Sequence, residues 1–248
     1  MFSKEIKTVV ALSLGIVLAG CNNPSASHDA ARAYDPFEAR NRDNHDLNKK
    51  IDTALVKPAG NGYVSFVPKP VQKGVSNFSA NLAMPSLVVN NLLQGRLGKA
   101  GKNTLRFALN TTVGLGGLVD AAGEFKLHEE DTDFGETLHV WGFKEGAYVE
   151  LPLLGPSTER DAVGKVVDLF TNPLSYVLPS PEKYIGTGAS VASRLGDRGT
   201  YAETLDSVLY DSADSYAQAR AIYIQNRRFE LGQEATEADP FELNTQGF

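Results

Sequence analysis

A mainly helical, all-α fold is what this sequence predicts. Between the prolines and glycines, apolar residues recur at spacings of three and four, the period of a helix with one apolar side. Only residues 142–155 alternate as a strand does, and they read as one short hairpin loop. Past residue 20 no apolar run reaches 18 residues, so the helices are amphipathic and none is expected to cross a bilayer.

The bulk properties narrow the function. The chain has 248 residues, enough for one medium domain with a sizeable core. It carries 24 Lys+Arg against 30 Asp+Glu, so no basic footprint for nucleic acid is present. A hydrophobic content of 42% is ordinary for a soluble chain and implies no multi-span membrane protein.

The first 20 residues read as a signal peptide. Lys4 and Lys7 precede an apolar run of eleven residues, Val9 to Ala19, and small residues follow. Leu18-Ala19-Gly20-Cys21 looks like a bacterial lipobox, and Cys21 is the single cysteine in the chain. No intrachain disulfide can form. A lipobox implies cleavage before Cys21, a diacylglyceryl group on its thiol and acylation of its new amino group. Each buried methylene contributes roughly 0.8 kcal/mol, so three acyl chains make a permanent anchor. Asn22, rather than Asp, resembles the outer-membrane sorting signal of enteric lipoproteins. Residues 22–33 are small and polar, and with Cys21 they form an acylated N-terminus and flexible tether (21–33) ahead of the domain.

The folded domain is expected over 34–231. Asp35-Pro36 reads as a helix start, with the helix running to about Leu55. Pro58, Pro68, Pro70 and Pro85 then punctuate the chain. Val71, Val75, Phe78 and Leu82 make one apolar stripe. Leu87, Val88, Val89, Leu92 and Leu93 make a segment apolar nearly all round, as expected of a piece buried on several sides or lying in lipid.

The stretch Asn103 to Phe125 is the expected centre. Leu105, Ala108, Leu109 and Thr112 share one side of a helix beginning near Leu97. That helix must stop at Gly114, Gly116 and Gly117. Leu115, Leu118 and Val119 surround the break, so its backbone polar groups need protein partners or a watery channel. Further helices are expected over 131–141, from Ser157 with Val163, Val166, Val167 and Phe170 inward, and over 182–196. The longest is expected from Tyr201 past Tyr223. Residues 232–248 lack periodicity and read as a fraying tail.

Catalytic signatures are sparse. The chain has no G-x-S-x-G elbow, no H-E-x-x-H helix and no P-loop, and its four histidines lack metal spacing. His128-Glu129-Glu130-Asp131 with Asp133 reads as a solvated acidic loop before a cation site. No enzyme, cofactor or metal is expected. A structural scaffold is the alternative function, and a phospholipid hydrolase a less favoured one.

The motifs nonetheless add up in order. They include Asp35-Pro36-Phe37-Glu38, Asn41-Arg42, Asn48, Asn77-Phe78, Asn81-Leu82, Gln94-Gly95, Arg106-Phe107, Asn110-Thr111, Gly114 with Gly116-Gly117, Phe134-Gly135, Trp141-Gly142, Gly146 with Tyr148, Leu151-Pro152 and Arg160-Asp161. From Tyr34 to about Arg228 this set resembles the MlaA (VacJ) family of outer-membrane lipoproteins. Leu47 departs from it, since Phe is expected there, and Lys49 and Lys50 make the first helix more basic.

The resemblance implies helices forming a ring around a central channel, set in the inner leaflet of the outer membrane. The channel would pass mislocalised phospholipid from the outer leaflet to a soluble periplasmic carrier, beside a trimeric porin, with ATP spent elsewhere. Candidate channel residues are Asn41, Leu47, Asn48, Asn110, Gly114, Gly116 and Gly117. Gly142, Gly146 and Tyr148 belong to the candidate mobile loop. The alternatives for these segments are glycines that serve only close helix packing and a plain surface hairpin.

Overall fold

A computed structural model describes residues 34–233. The signal peptide, Cys21, the tether and the chain beyond Gln233 lie outside the described residues. Helices carry the fold: α1 (Glu38–Ile51), α2 (Lys57–Phe66), α3 (Lys69–Leu93), α4 (Leu97–Thr112), α5 (Ala121–Glu124), α6 (Phe134–Val140), α7 (Glu159–Thr171), α8 (Leu174–Val177), α9 (Ile185–Thr200), α10 (Ala202–Leu209) and α11 (Ser215–Glu230). One antiparallel hairpin, β1 (Tyr148–Leu151) and β2 (Gly155–Thr158), pairs Tyr148 with Thr158 and Leu151 with Gly155. It lies a few residues later than the sequence pattern placed it. Helix α3 packs along α4 and α9, α9 along α2, and α6 against α7.

Prolines and caps act differently from their sequence reading. Asp35 does not cap α1. Its carboxylate accepts from Asn41 Nδ2 at 2.9 Å, from the Tyr216 hydroxyl at 2.5 Å and from Arg220, pinning the chain start to α11. Helix α1 does not end near Leu55. It runs through a π-turn, Asp52–Val56, into α2, with the Lys57 N–H donating to the Asp52 carbonyl. That wider turn accommodates Pro58, which has no N–H to give. Pro85 likewise sits inside α3, a helix of 25 residues and the longest described, at the loss of one backbone bond. The expected long helix from Tyr201 is two helices. Asp214 divides them by capping α11, accepting from the Ala217 N–H at 3.0 Å.

The largest departure is which faces point inward. On α4 the buried residues are Ala100, Asn103, Arg106 and Asn110, while Leu97, Leu105 and Val113 beside its C-terminus are exposed. On α7 Arg160, Asp161 and Gly164 are buried, and Val163, Val166, Leu169 and Phe170 face out. The apolar stripe expected to pack inward on α7 is turned outward, and the side of α4 that carries Leu105, Ala108 and Thr112 is exposed as well. Among the described residues 18 buried side chains are polar or charged and 10 are apolar, glycine aside, so the interior is not an oil-like core.

Such an interior holds only if its polar groups pair. Asp161 is the densest junction. It accepts from Thr158 Oγ1 at 2.9 Å, the Tyr223 hydroxyl at 2.8 Å and Arg227 at 3.2 and 3.1 Å, with Arg160 Nε at 3.3 Å. Burial alone would raise this carboxyl, but Arg227, Tyr223 and Arg160 outweigh it and hold it below the usual carboxylate range.

Asp161→Asn should therefore cost about 3 kcal/mol at neutral pH, because a buried ion pair loses one partner. The folded-state pKa lies below the unfolded one. The advantage of the native residue is thus full above the usual carboxylate range and shrinks as pH falls through the folded value. Thermal unfolding in detergent across pH measures it; a gap that stays constant into acid contradicts the assignment.

Candidate functional site

The sequence-predicted site residues fall into two groups. The first surrounds the hairpin. Asn41, Asn44 and Asn48 occupy one face of α1 at spacings of three and four, and together they read the edge of β1 as a neighbouring strand would. Asn41 Nδ2 donates to the Tyr148 carbonyl at 3.0 Å, and its Oδ1 accepts the Glu150 N–H at 2.9 Å. Asn44 donates to the Glu150 carbonyl at 2.8 Å. Asn48 donates to the Leu151 carbonyl at 3.0 Å and accepts the Leu153 N–H at 2.7 Å. A carboxamide offers the same donor and acceptor as a peptide group, so a helix can complete a sheet edge in this way.

Tyr148 is buried at the centre of a small cluster with Tyr216 and Ile224. Its hydroxyl donates to Glu150 Oε2 at 2.6 Å. Burial and that carboxylate push the phenol well above its usual range. Gly142 and Gly146 lie outside this anchor, in an exposed segment with left-handed φ of 90° and 76°. Nothing crowds Gly142, whereas a Cβ at Gly146 would meet Glu159 Oε2 at 2.6 Å. Trp141 and Phe143 are exposed beside them, with Trp141 Nε1 donating to the Leu93 carbonyl at 3.1 Å. Leu47 is exposed on the outer side of α1.

The second group is the glycine break after α4. Asn110, 4% exposed, donates to Asp120 at 3.0 Å and accepts the Ala122 N–H at 2.8 Å. Arg106 donates to Asp120 at 3.1 Å and to the Leu127 carbonyl. Burial raises Asp120, but Asn110, the Gly123 N–H and Arg106 bring it below its ordinary value. The turn satisfies itself through Gly114 N–H to Leu109, Gly116 N–H to Thr111 and Val119 N–H to Gly114, while Asn77 donates to the Leu118 carbonyl. With those groups paired, Leu115, Leu118 and Val119 project outward. A Cβ at Gly114 would overlap the Val119 carbonyl, and one at Gly117 would stand 2.6 Å from Asn81 Nδ2.

Sequence reasoning gave no bonding role to Asn44, Asn103, Asn90 or Gln94. Asn103 holds the 127–131 loop, donating to the Glu130 carbonyl at 2.8 Å and accepting its N–H at 3.1 Å. Asn90 joins Asp168 at 3.0 Å to Thr137 at 3.1 Å. Gln94 donates to Thr132 and Thr137 at 2.7 and 2.9 Å. The available signal was asparagine itself. It is unfavourable in helix interiors, yet here it recurs there at helical spacing.

Outside this interior, 34 large apolar side chains are exposed among the described residues, far more than scattered surface leucines explain. Fold and site together define a class: a helical protein with a hydrogen-bonded polar interior and a surface matched to an apolar medium. The sequence profile of the MlaA lipoprotein family matches residues 33–230. The intermembrane phospholipid transport system lipoprotein MlaA of Escherichia coli (strain K12) is 34% identical over 226 residues, covering 88% of this chain and 86% of that one. Its counterpart in Haemophilus influenzae is 32% identical over 233 residues, covering 92% and 91%. A chain solved in work on the structural basis for maintenance of bacterial outer membrane lipid asymmetry aligns with TM-score 0.68 and 34% identity, covering 79% of this chain and 98% of that chain. The chain belongs to the MlaA lipoprotein family, whose members just described are components of a phospholipid transport system.

The glycine break yields a paired prediction. Gly116→Ala, with φ 74° and open space, should cost about 1–2 kcal/mol for the left-handed backbone alone. Gly117→Ala, with φ 98° and Asn81 in contact, should cost clearly more. Melting temperatures in detergent decide; equal losses would mean that the Gly117–Asn81 approach carries no weight.

Proposed function

We propose that this chain is an outer-membrane lipoprotein, anchored by acylated Cys21, that moves phospholipid from the outer leaflet towards the periplasm without breaking a bond. One observation carries the reading: apolar helix faces turned outward around a polar interior. A surface of that kind is costly in water, where each fully exposed large side chain forgoes roughly 1.5–3 kcal/mol of burial. Against acyl chains the cost disappears. A phospholipid has a charged head and two tails, so its path needs both polar and apolar walls. The lipoprotein relatives and the lipobox support the same reading.

In this proposal Asn41, Leu47, Asn48 and Asn110 with Gly114, Gly116 and Gly117 border the passage. Gly142 and Gly146 give mobility to the exposed segment carrying Trp141 and Phe143, and buried Tyr148 is its fixed end. The lipid leaves to a soluble periplasmic carrier, and a trimeric porin seats the protein from outside.

Deleting the gene should raise phospholipid in the outer leaflet and sensitise cells to detergent with chelator. Cys21→Ala should reproduce that phenotype through mislocalisation. Photo-crosslinking residues at Val113 to Val119 and at Phe143 should capture phospholipid in cells. Unchanged leaflet composition, or no lipid adduct at any position, would favour a scaffold.

A further inference from the structure

His45, Lys49 and Ser215 meet where α1 contacts the start of α11, and the passage proposed above uses none of them. His45 Nε2 lies 3.0 Å from Ser215 Oγ. His45 Nδ1 lies 3.5 Å from Glu150 Oε1. The histidine and glutamate side chains are 4% and 2% exposed, while Ser215 is half-buried at the first position of α11. Lys49 Nζ donates to Ser215 Oγ at 3.1 Å.

Each part meets a chemical requirement. A serine hydroxyl is a weak nucleophile until a base stands within hydrogen-bond reach. The base must turn one ring nitrogen to the hydroxyl and the other to a carboxylate, and this imidazole does so in the right order. A separation of 3.5 Å before substrate binds is within the looseness seen in unliganded sites. Two further contacts fix the carboxylate: the Tyr148 hydroxyl at 2.6 Å on Oε2 and Asn48 Nδ2 at 3.1 Å on Oε1. Tyr216 packs edge-on to the imidazole, with ring centroids 5.7 Å apart. The Asp214–Arg42 pair, at 3.0 and 2.9 Å, locks the start of α11 to α1, and Arg42 holds the Asp214 carboxyl down at about 2. Ser215 stands at the positive end of a 16-residue helix, and the Lys49 ammonium adds charge where an oxyanion would form.

We propose that Ser215, His45 and Glu150 form an acyl-transfer centre that hydrolyses carboxylic esters, the linkage that joins acyl chains to glycerol. Ser215 Oγ attacks the ester carbonyl carbon while its proton passes to His45 Nε2. The oxyanion faces Lys49. Collapse breaks the acyl carbon–oxygen bond, and the alcohol leaves with the proton from His45. Water, deprotonated at the same nitrogen, then cleaves the acyl-serine, releasing the acid and restoring the hydroxyl. Glu150 is a positioning residue that holds the ring and its tautomer. The three residues are scattered along the chain, so no contiguous motif announces them. This activity stands apart from lipid passage.

The test uses the full chain in detergent micelles. A fluorescent fluorophosphonate should label the wild type at Ser215 and leave Ser215→Ala unlabelled. With p-nitrophenyl butyrate, Ser215→Ala should fall to background and His45→Gln should lose about a hundredfold or more in kcat. Glu150→Gln should lower kcat with KM unchanged, which a merely loosened fold would not do. Should His45→Gln unfold, Ser215→Ala still decides, since it removes only a half-buried hydroxyl. Wild-type labelling no stronger than that of Ser215→Ala, or equal ester turnover in the two, overturns the proposal.

Discussion

A carboxamide buried in a helix brings a donor nitrogen and an acceptor oxygen, and leaving either of them unpaired costs about 1–3 kcal/mol. Asn41, Asn103 and Asn110 meet that demand by gripping the backbone of another segment with both ends of the side chain, or of a segment and its neighbouring carboxylate. The consequence is architectural. Hairpin, glycine turn and acidic loop are fixed from the inside by polar bonds, so the helices need not bury their apolar faces against one another. Those faces are free to meet a different solvent.

The polar junctions also explain how long, interrupted helices stay in register. Arg198 spans Asp52 in the π-turn and Asp206 in α10, at 2.7 Å to each, while Gly60 and Gly199 let α2 and α9 approach closely. Asp35, Asp161 and Asp214 each tie α11 to a different part of the chain. Tyr148, next in the chain after the exposed 141–146 segment and Ala147, is held at its N–H by Tyr34, at its carbonyl by Asn41 and at its hydroxyl by Glu150.

Much of the fold was legible in the sequence, for identifiable reasons. Helical periodicity located α4, α6 and α9 closely, and α4 ended at the three residues without Cβ, Gly114, Gly116 and Gly117, that were expected to stop it. The hairpin showed in its alternation. Periodicity gives a face but not its direction, and so Val163, Val166 and Phe170 read as inward although they point outward. The assumption that apolar means inside holds for a chain folded in water, and these faces do not follow it. Pro58 and Pro85 misled because a π-turn and the interior of a long, packed helix absorb a missing N–H. The break before Asp214 was hidden because Leu205, Val208, Leu209 and Ser212 keep their spacing up to it. Asn41, Asn48 and Asn110 were named, but their work as backbone clamps depends on segments distant in sequence, as does the meeting of His45, Glu150 and Ser215.

The central claim is that the exposed apolar faces meet hydrocarbon. Nitroxide labels at Leu115→Cys and Leu169→Cys, in protein reconstituted into phospholipid vesicles, test it through relaxation by oxygen and by a water-soluble nickel chelate. Hydrocarbon contact predicts strong relaxation by oxygen and little by nickel at both positions. Nickel relaxation as strong as at an exposed polar site such as Asp43 would place those faces in water and contradict the account.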